Sequence, residues 1–150
     1  GDQVPDFTLP STAGADLTLS QVLSSRNVLL AFYLLDFTAP CATMLSRLAA
    51  VADALAEANT SIIGISVDSV YAHSAFAEKL KLPFPLFSDF NRTTCARYGV
   101  LVNQLLGLKR ISRKALFLVD RSGTIRYRWI GDGPSAVPDL QTALETAKHI

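Results

Sequence analysis

The sequence predicts an α/β fold: a central mixed β-sheet flanked by helices on both faces. Three observations predict it. Val28-Leu29-Leu30-Ala31-Phe32-Tyr33 is an unbroken apolar run rich in β-formers, and a run that short and apolar suits a strand buried on both faces. After it, Met44, Leu45, Leu48, Val51, Ala52 and Leu55 recur at three- and four-residue steps, with Arg47, Asp53 and Glu57 on the other side. That is the period of an amphipathic helix over Ala42 to Ala58. A second apolar strand, Ser61 to Val67, and a second helix follow. Strand–helix–strand–helix order implies a parallel pair joined by a right-handed crossover.

The remaining elements are read in order. Gly1 to Pro10 is a short edge segment with Pro5 and Pro10 at the ends of its apolar part, since proline cannot serve a central ladder. Ser11 to Asp16 is a turn of small polar residues and glycine. Leu17 to Ser25 reads as a short helix with Thr18 as N-cap. Asn59-Thr60 closes the long helix. Asp68 or Ser69 caps the next one, which runs to about Leu80 with Tyr71, Phe76, Ala77 and Leu80 inward. Leu82 to Asp89 is a proline-broken lead into a brief strand, and Asn91 to Tyr98 a short helix stopped by Gly99. Leu101 to Ser112 is ambiguous between a surface loop and a frayed helix. Ala115 to Asp120 and Thr124 to Ile130 are strands joined by a tight hairpin at Arg121-Ser122-Gly123, and Pro138 to Lys148 is a closing amphipathic helix.

Composition narrows the function classes. The chain has 150 residues, 49% hydrophobic and 18% charged, which suits one globular domain over 1–150. A net charge of +1 offers no electrostatic case for nucleic acid or an anionic membrane. No apolar run approaches the roughly 20 residues that span a bilayer, and no basic-then-apolar leader opens the sequence. Cys41 and Cys95 form no CxxC pair. The chain is therefore neither a disulfide scaffold nor a thiolate metal site, and it fits a reducing, cytoplasmic compartment. Carboxylates are dispersed without metal-ligand spacing, so no cofactor or metal is expected. His73 and His149 are placed on polar helix faces or the terminus, without a role.

The chemistry gathers at Cys41. Pro40 is tolerated in a first helical turn, because the donor it lacks would be unpaired there anyway. Cys41 thus sits at a helix N-terminus, at the carboxyl end of a central strand. Only the thiolate is strongly nucleophilic, and first-turn N–H groups with the positive end of a helix favour the anion. Thr38, three residues earlier, offers a hydroxyl to the same sulfur. A free cysteine is also commonly a small buried hydrophobe; the strand–turn–helix setting favours the reactive thiol.

Phe32 to Cys41 resembles the active-site segment of the peroxiredoxins, the alkyl hydroperoxide reductase C / thiol-specific antioxidant family, whose motif reads Pro-x-x-x-Thr/Ser-x-x-Cys. Thr38 and Cys41 match it, and Leu34 stands at the proline position. The resemblance extends over Pro5 to Pro10, Ile65 to Ser69, Phe76 to Lys79, Leu82 to Asp89, Tyr98 to Val100, and Ala115 to Asp120 with Gly123 and Ile125-Arg126. It implies a thioredoxin-like fold. It also implies a thiol peroxidase in which Cys41 attacks a peroxide, becomes a sulfenic acid and is reduced by another thiol. Cys41 is then the nucleophile, Thr38 orients thiolate and peroxide, and Phe37 borders the substrate.

The family's arginine, at the start of the later strand, corresponds to Lys114, with Arg113 one residue before it. Neighbouring strand residues face opposite ways. Arg113 is preferred here, because a guanidinium reaches two oxygens at once and an irregular strand start would turn it inward. Met44 stands where the family often has a glutamate. Cys95, on the short helix beside Ala96 and Tyr98, reads as a packed core cysteine. A one-cysteine mechanism with an external reductant, a thioredoxin-like protein or a small thiol, is therefore expected. Leu34, Leu35 and Phe37, exposed together, would form an apolar patch for a homodimer. Two rivals remain open: a thiol–disulfide oxidoreductase, which would need a second cysteine beside the first, and a non-catalytic binding module on the same fold.

Overall fold

A computed structural model describes residues 1–150. The apolar run becomes strand β3 (Asn27–Phe32), and every one of its residues is buried, so both faces of the sheet are covered. It lies at the centre of a five-stranded sheet in the order β5-β4-β3-β8-β9. β4 (Thr60–Ser66) pairs with it in parallel, as the crossover required. β5 (Leu86–Ser88) extends that parallel side. On the other side β8 (Ala115–Val119) and β9 (Ile125–Ile130) are antiparallel. The sheet is mixed.

Two helical segments take the place of one after β3. Helix α2 (Ala39–Ala50) buries Cys41, Met44, Leu45 and Leu48. At Val51, with φ −104° and ψ 4°, the backbone leaves helical geometry before α3 (Ala52–Glu57) begins. The apolar stripe is continuous through the break. Helix α4 (Val70–Leu80) starts at Ser69, whose side chain accepts from the Ala72 N–H, an N-cap of the expected kind. Asp68, the other cap candidate, turns back to the loop before α2.

Three expectations are corrected. Tyr71 is 84% exposed, and His73 instead is fully buried. The stripe through Phe76, Ala77 and Leu80 continues to position 73 at helical spacing, and position 71 lies off it. Leu101 to Ser112 is neither loop nor helix but a hairpin, β6 (Leu101–Leu105) with β7 (Leu108–Ser112). Its turn residues Leu106 and Gly107 both have positive φ, 54° and 74°, the tight-hairpin geometry that matches strand twist. A leucine in the first of these positions hid the turn from sequence reading. Near the N-terminus, Asp16–Thr18 is strand β2, paired with β1 (Thr8–Pro10). Helix α1 (Leu19–Leu23) therefore starts later; Thr18 does hold its N-cap position, but its side chain makes no capping bond, and Asp6 accepts from the Ser20 N–H.

The last helices fall as read. α5 (Thr93–Arg97) stops before Gly99 at φ 72°, and α6 (Leu140–Ala147) is capped by Asp139. One cluster of 35 buried hydrophobic residues runs through the sheet and its helices.

Candidate active site

β3 delivers the chain to the site. From Phe32 it continues through Tyr33, whose N–H still bonds the Ile65 carbonyl at 3.0 Å, and then turns. Thr38 is the N-cap residue of α2, with φ −94° and ψ 140°, and Pro40 lies in the first turn. Cys41 follows in that turn, fully buried and free. The Thr38 hydroxyl donates to the Leu35 carbonyl at 2.9 Å and makes no capping bond. Its lone pairs remain available on the helix-start side.

The structure puts Lys114, rather than Arg113, beside the sulfur. Lys114 is buried and Arg113 exposed. The Lys114 backbone extends the β8 ladder: its carbonyl accepts from the Gly131 N–H at 2.9 Å, and its Nζ donates to the Ala136 carbonyl at 3.1 Å. Burial lowers the Lys114 pKa, and the Cys41 charge opposes that shift. The irregular start that would have turned Arg113 inward is absent. β8 pairs with β3 in register from Ala115 onward, and the one register shift lies at Leu118/Val119, the far end of the strand. A regular strand start keeps neighbours on opposite faces.

Arg113 is nevertheless close by. It lines, with Leu34, Val102, Leu105, Lys114 and Asp132, a cavity of about 140 Å³. Lys114 also borders a smaller depression beside Pro40, Met44, Arg47 and Val137. Met44 is buried and supplies no carboxylate to either cation. Phe37 faces elsewhere. It is 54% exposed, its ring centroid lies 5.0 Å from that of Phe76 on α4, and the Lys79 ammonium sits 5.8 Å above it. The expected apolar patch is smaller than foreseen: Leu34 is buried and Leu35 half-buried, which leaves Phe37.

Cys95 is fully buried. Its N–H donates to Asp89 Oδ2 at 2.7 Å. Burial pushes its thiol strongly up, and the adjacent Asp89 carboxylate adds to the shift. It is held as a neutral core thiol.

Sequence reasoning missed a buried polar cluster. His73 Nδ1 lies 2.7 Å from Asp36 Oδ2 and Nε2 lies 2.9 Å from the Phe87 carbonyl oxygen, while the Tyr33 hydroxyl donates to Asp36 Oδ1 at 2.5 Å. Asp68 comes within reach of the same group, but the two ring nitrogens are already engaged, so the arrangement is a closed polar network rather than an open ligand set.

On this thioredoxin-like fold a buried thiol lies at a helix start, after the central strand of a mixed sheet and near a buried cation, an arrangement that can stabilise a thiolate. The AhpC/TSA family pattern matches residues 1–128, and the chain belongs to that family. It is 37% identical over 131 residues to a Coxiella burnetii protein named peroxiredoxin bcp, covering 86% of each chain. It is 30% identical over 155 residues to a barley (Hordeum vulgare) chloroplast protein named 2-Cys peroxiredoxin BAS1, covering 95% of this chain and 72% of that one. Among solved structures, the peroxidoxin BcpB of Mycobacterium tuberculosis superposes with a TM-score of 0.89 at 32% identity, over 100% of this chain and 96% of that one.

Proposed function

We propose that this chain is a thiol-dependent peroxidase that reduces peroxides through Cys41 and is recycled by an external thiol. The observation that carries the reading is Cys41 at the start of α2 with the buried Lys114 ammonium near enough for their charges to interact. The Cys41 thiolate attacks one peroxide oxygen, the O–O bond breaks, and the leaving oxygen takes a proton to depart as water or an alcohol. Cys41 is left as a sulfenic acid. Lys114 and the first-turn N–H groups supply positive charge where the leaving oxygen becomes negative, and the Thr38 hydroxyl orients the peroxide. A first thiol then condenses with the sulfenic acid, releasing water. A second thiol releases Cys41 and carries away the disulfide.

The one-cysteine form of this cycle is supported by Cys95, whose buried, Asp89-bound thiol is poorly suited to attack. Arg113 and Lys114 line one cavity with Leu34, which suits entry of a hydroperoxide. The reductant is a thioredoxin-like protein or a small thiol. A homodimer fits the exposed Phe37 beside the site, and a cytoplasmic address fits the free thiols. No helix is long and apolar enough to cross a membrane. One continuous core supports reading 1–150 as a single domain. A disulfide oxidoreductase is not favoured, because Cys41-Ala42-Thr43-Met44 lacks a partner thiol.

Cys41→Ser tests the proposal. A hydroxyl fits the same helix start, so the fold should persist while peroxide consumption with a small-thiol reductant is abolished. Full turnover in that variant, with Cys95 intact, would sink the mechanism. After one equivalent of peroxide, mass spectrometry of the wild type should show Cys41 oxidised and no Cys41–Cys95 disulfide. A dominant disulfide between them would give Cys95 the resolving role.

A further inference from the structure

The turn that carries Cys41 is anchored by buried polar groups that take no part in the reaction itself. The side chains of His73 and Asp36 are 0% and 1% exposed. A carbonyl oxygen only accepts, so the His73 nitrogen facing the Phe87 carbonyl bears a proton. Tyr33 donates to one Asp36 oxygen, and one proton joins the second Asp36 oxygen to His73 Nδ1. His73 and Asp36 are therefore a fully buried hydrogen-bonded pair, and removing either member leaves a buried polar atom of the other unsatisfied. The Tyr33 hydroxyl also lies 3.3 Å from His73 Nδ1.

The same residue is tied through its backbone. The Asp36 N–H donates to Asp68 Oδ2 at 2.8 Å, and Asp68 also receives the Ser66 hydroxyl at 2.6 Å. Immediately afterwards Phe37 has φ 64°, a left-handed conformation that a bulky residue keeps only when its surroundings impose it. Cys41 then follows with no exposed area. The anchoring groups come from the residue after β3 (Tyr33), the end of β4 and the bend after it (Ser66, Asp68), α4 (His73) and β5 (the Phe87 carbonyl). The α4 cation Lys79 lies over the Phe37 ring.

We propose that Tyr33, Asp36 and His73 act as a latch of positioning residues, which imposes the strained turn at Phe37 and so fixes where α2 begins and where the Cys41 sulfur lies. The proposal rests on the reading of Cys41 as the peroxide-reactive thiol. With the latch closed the sulfur is held toward Lys114 and covered from large molecules. With it broken, the turn relaxes, the sulfur loses its alignment and it becomes reachable.

The test compares two reactions of one sulfur. Asp36→Asn, His73→Gln and Tyr33→Phe are each treated with one equivalent of hydrogen peroxide, and separately with a bulky maleimide, and both cysteines are mapped. Misplacing a reacting group by about 1 Å costs on the order of 100-fold in rate. Cys41 oxidation should therefore fall by about 10-fold or more, while its alkylation accelerates and buried Cys95 stays protected. A change in thiol reactivity alone would move both Cys41 rates in one direction, and that result overturns the latch. Unchanged rates overturn it as well. If Asp36→Asn and His73→Gln also expose Cys95, Tyr33→Phe decides, since it keeps the ring and leaves the Asp36–His73 bond intact. Joint exposure of both cysteines in that variant would reduce the network to general stability. A wild-type Cys41 inert to peroxide would sink the peroxidase reading instead, with the alkylation arm still reading the latch.

Discussion

At the scale of single residues, the site turns on a one-position choice. Arg113 and Lys114 are adjacent cations at the start of β8, and the regular ladder buries Lys114 and leaves Arg113 outside. Lysine contributes a compact charge and rotatable donors, without the planar fork that grips two oxygens. Removing such a donor from a developing oxyanion commonly costs 100-fold or more in rate, so Lys114→Ala should slow Cys41 oxidation by about that factor and Arg113→Ala only mildly. The pH dependence follows from burial, which lowers the Lys114 pKa. A lowered lysine loses its proton at a pH where an ordinary one is still charged, so the oxidation rate should decline on the alkaline side earlier than a free lysine would dictate. Lys114→Arg removes that titration and should abolish the decline, which a pH–rate profile of sulfenic acid formation reads directly. An identical alkaline limb in both proteins would place the titrating group elsewhere.

The elements show where local chemistry and tertiary packing agree and where they conflict. The β6–β7 hairpin closes on Leu106 and Gly107, both at positive φ. Glycine holds that conformation at no steric cost, whereas leucine is strained by about 1–2 kcal/mol. The Leu106 side chain is 65% exposed, so little packing offsets the strain. Leu106→Gly should therefore stabilise the protein, by about 1 kcal/mol at most once the freer unfolded chain is counted. Chemical denaturation measures it, and a loss of stability would show that Leu106 packs usefully in solution. Phe37 is the contrasting case. It has the same left-handed geometry, but its ring packs on Phe76 and its backbone is held by the Asp36 anchor.

For the whole molecule, the sheet order β5-β4-β3-β8-β9 brings the site together from distant parts of the chain. The thiol comes from the segment after β3 and its cation from the start of β8, side by side because those strands are neighbours. Association acts at the same scale. Phe37 is an exposed apolar group on the turn before α2, and Tyr71 stands out from the first turn of α4. The proposed homodimer is tested through Phe37: sedimentation should show a dimer that Phe37→Lys weakens. A monomer at every concentration would remove the dimer from the proposal.

The sequence alone determined whatever depends on the period and chemistry of one segment. A short apolar run of β-formers suits a covered strand, the stripe from Met44 to Leu55 specifies which side of its helix is buried, and Gly99 marks a helix end by its backbone freedom, while the choice of Ser69 over Asp68 as cap belonged to the structure. Pro40 and the strand-to-helix change of period placed the thiol in a first helical turn, and the Thr38–Cys41 spacing carried the family resemblance. Tertiary structure alone decided which partner a side chain meets. Asp36 and His73 stand 37 positions apart, and nothing local to either announces the other. The stripe through Phe76, Ala77 and Leu80 contained the signal that His73 points inward, but a histidine is read as polar until its partners are known. The choice between Arg113 and Lys114 likewise waited on strand register, because a shift of one residue exchanges the two faces, and register is set by the neighbouring strands rather than by the two cations themselves.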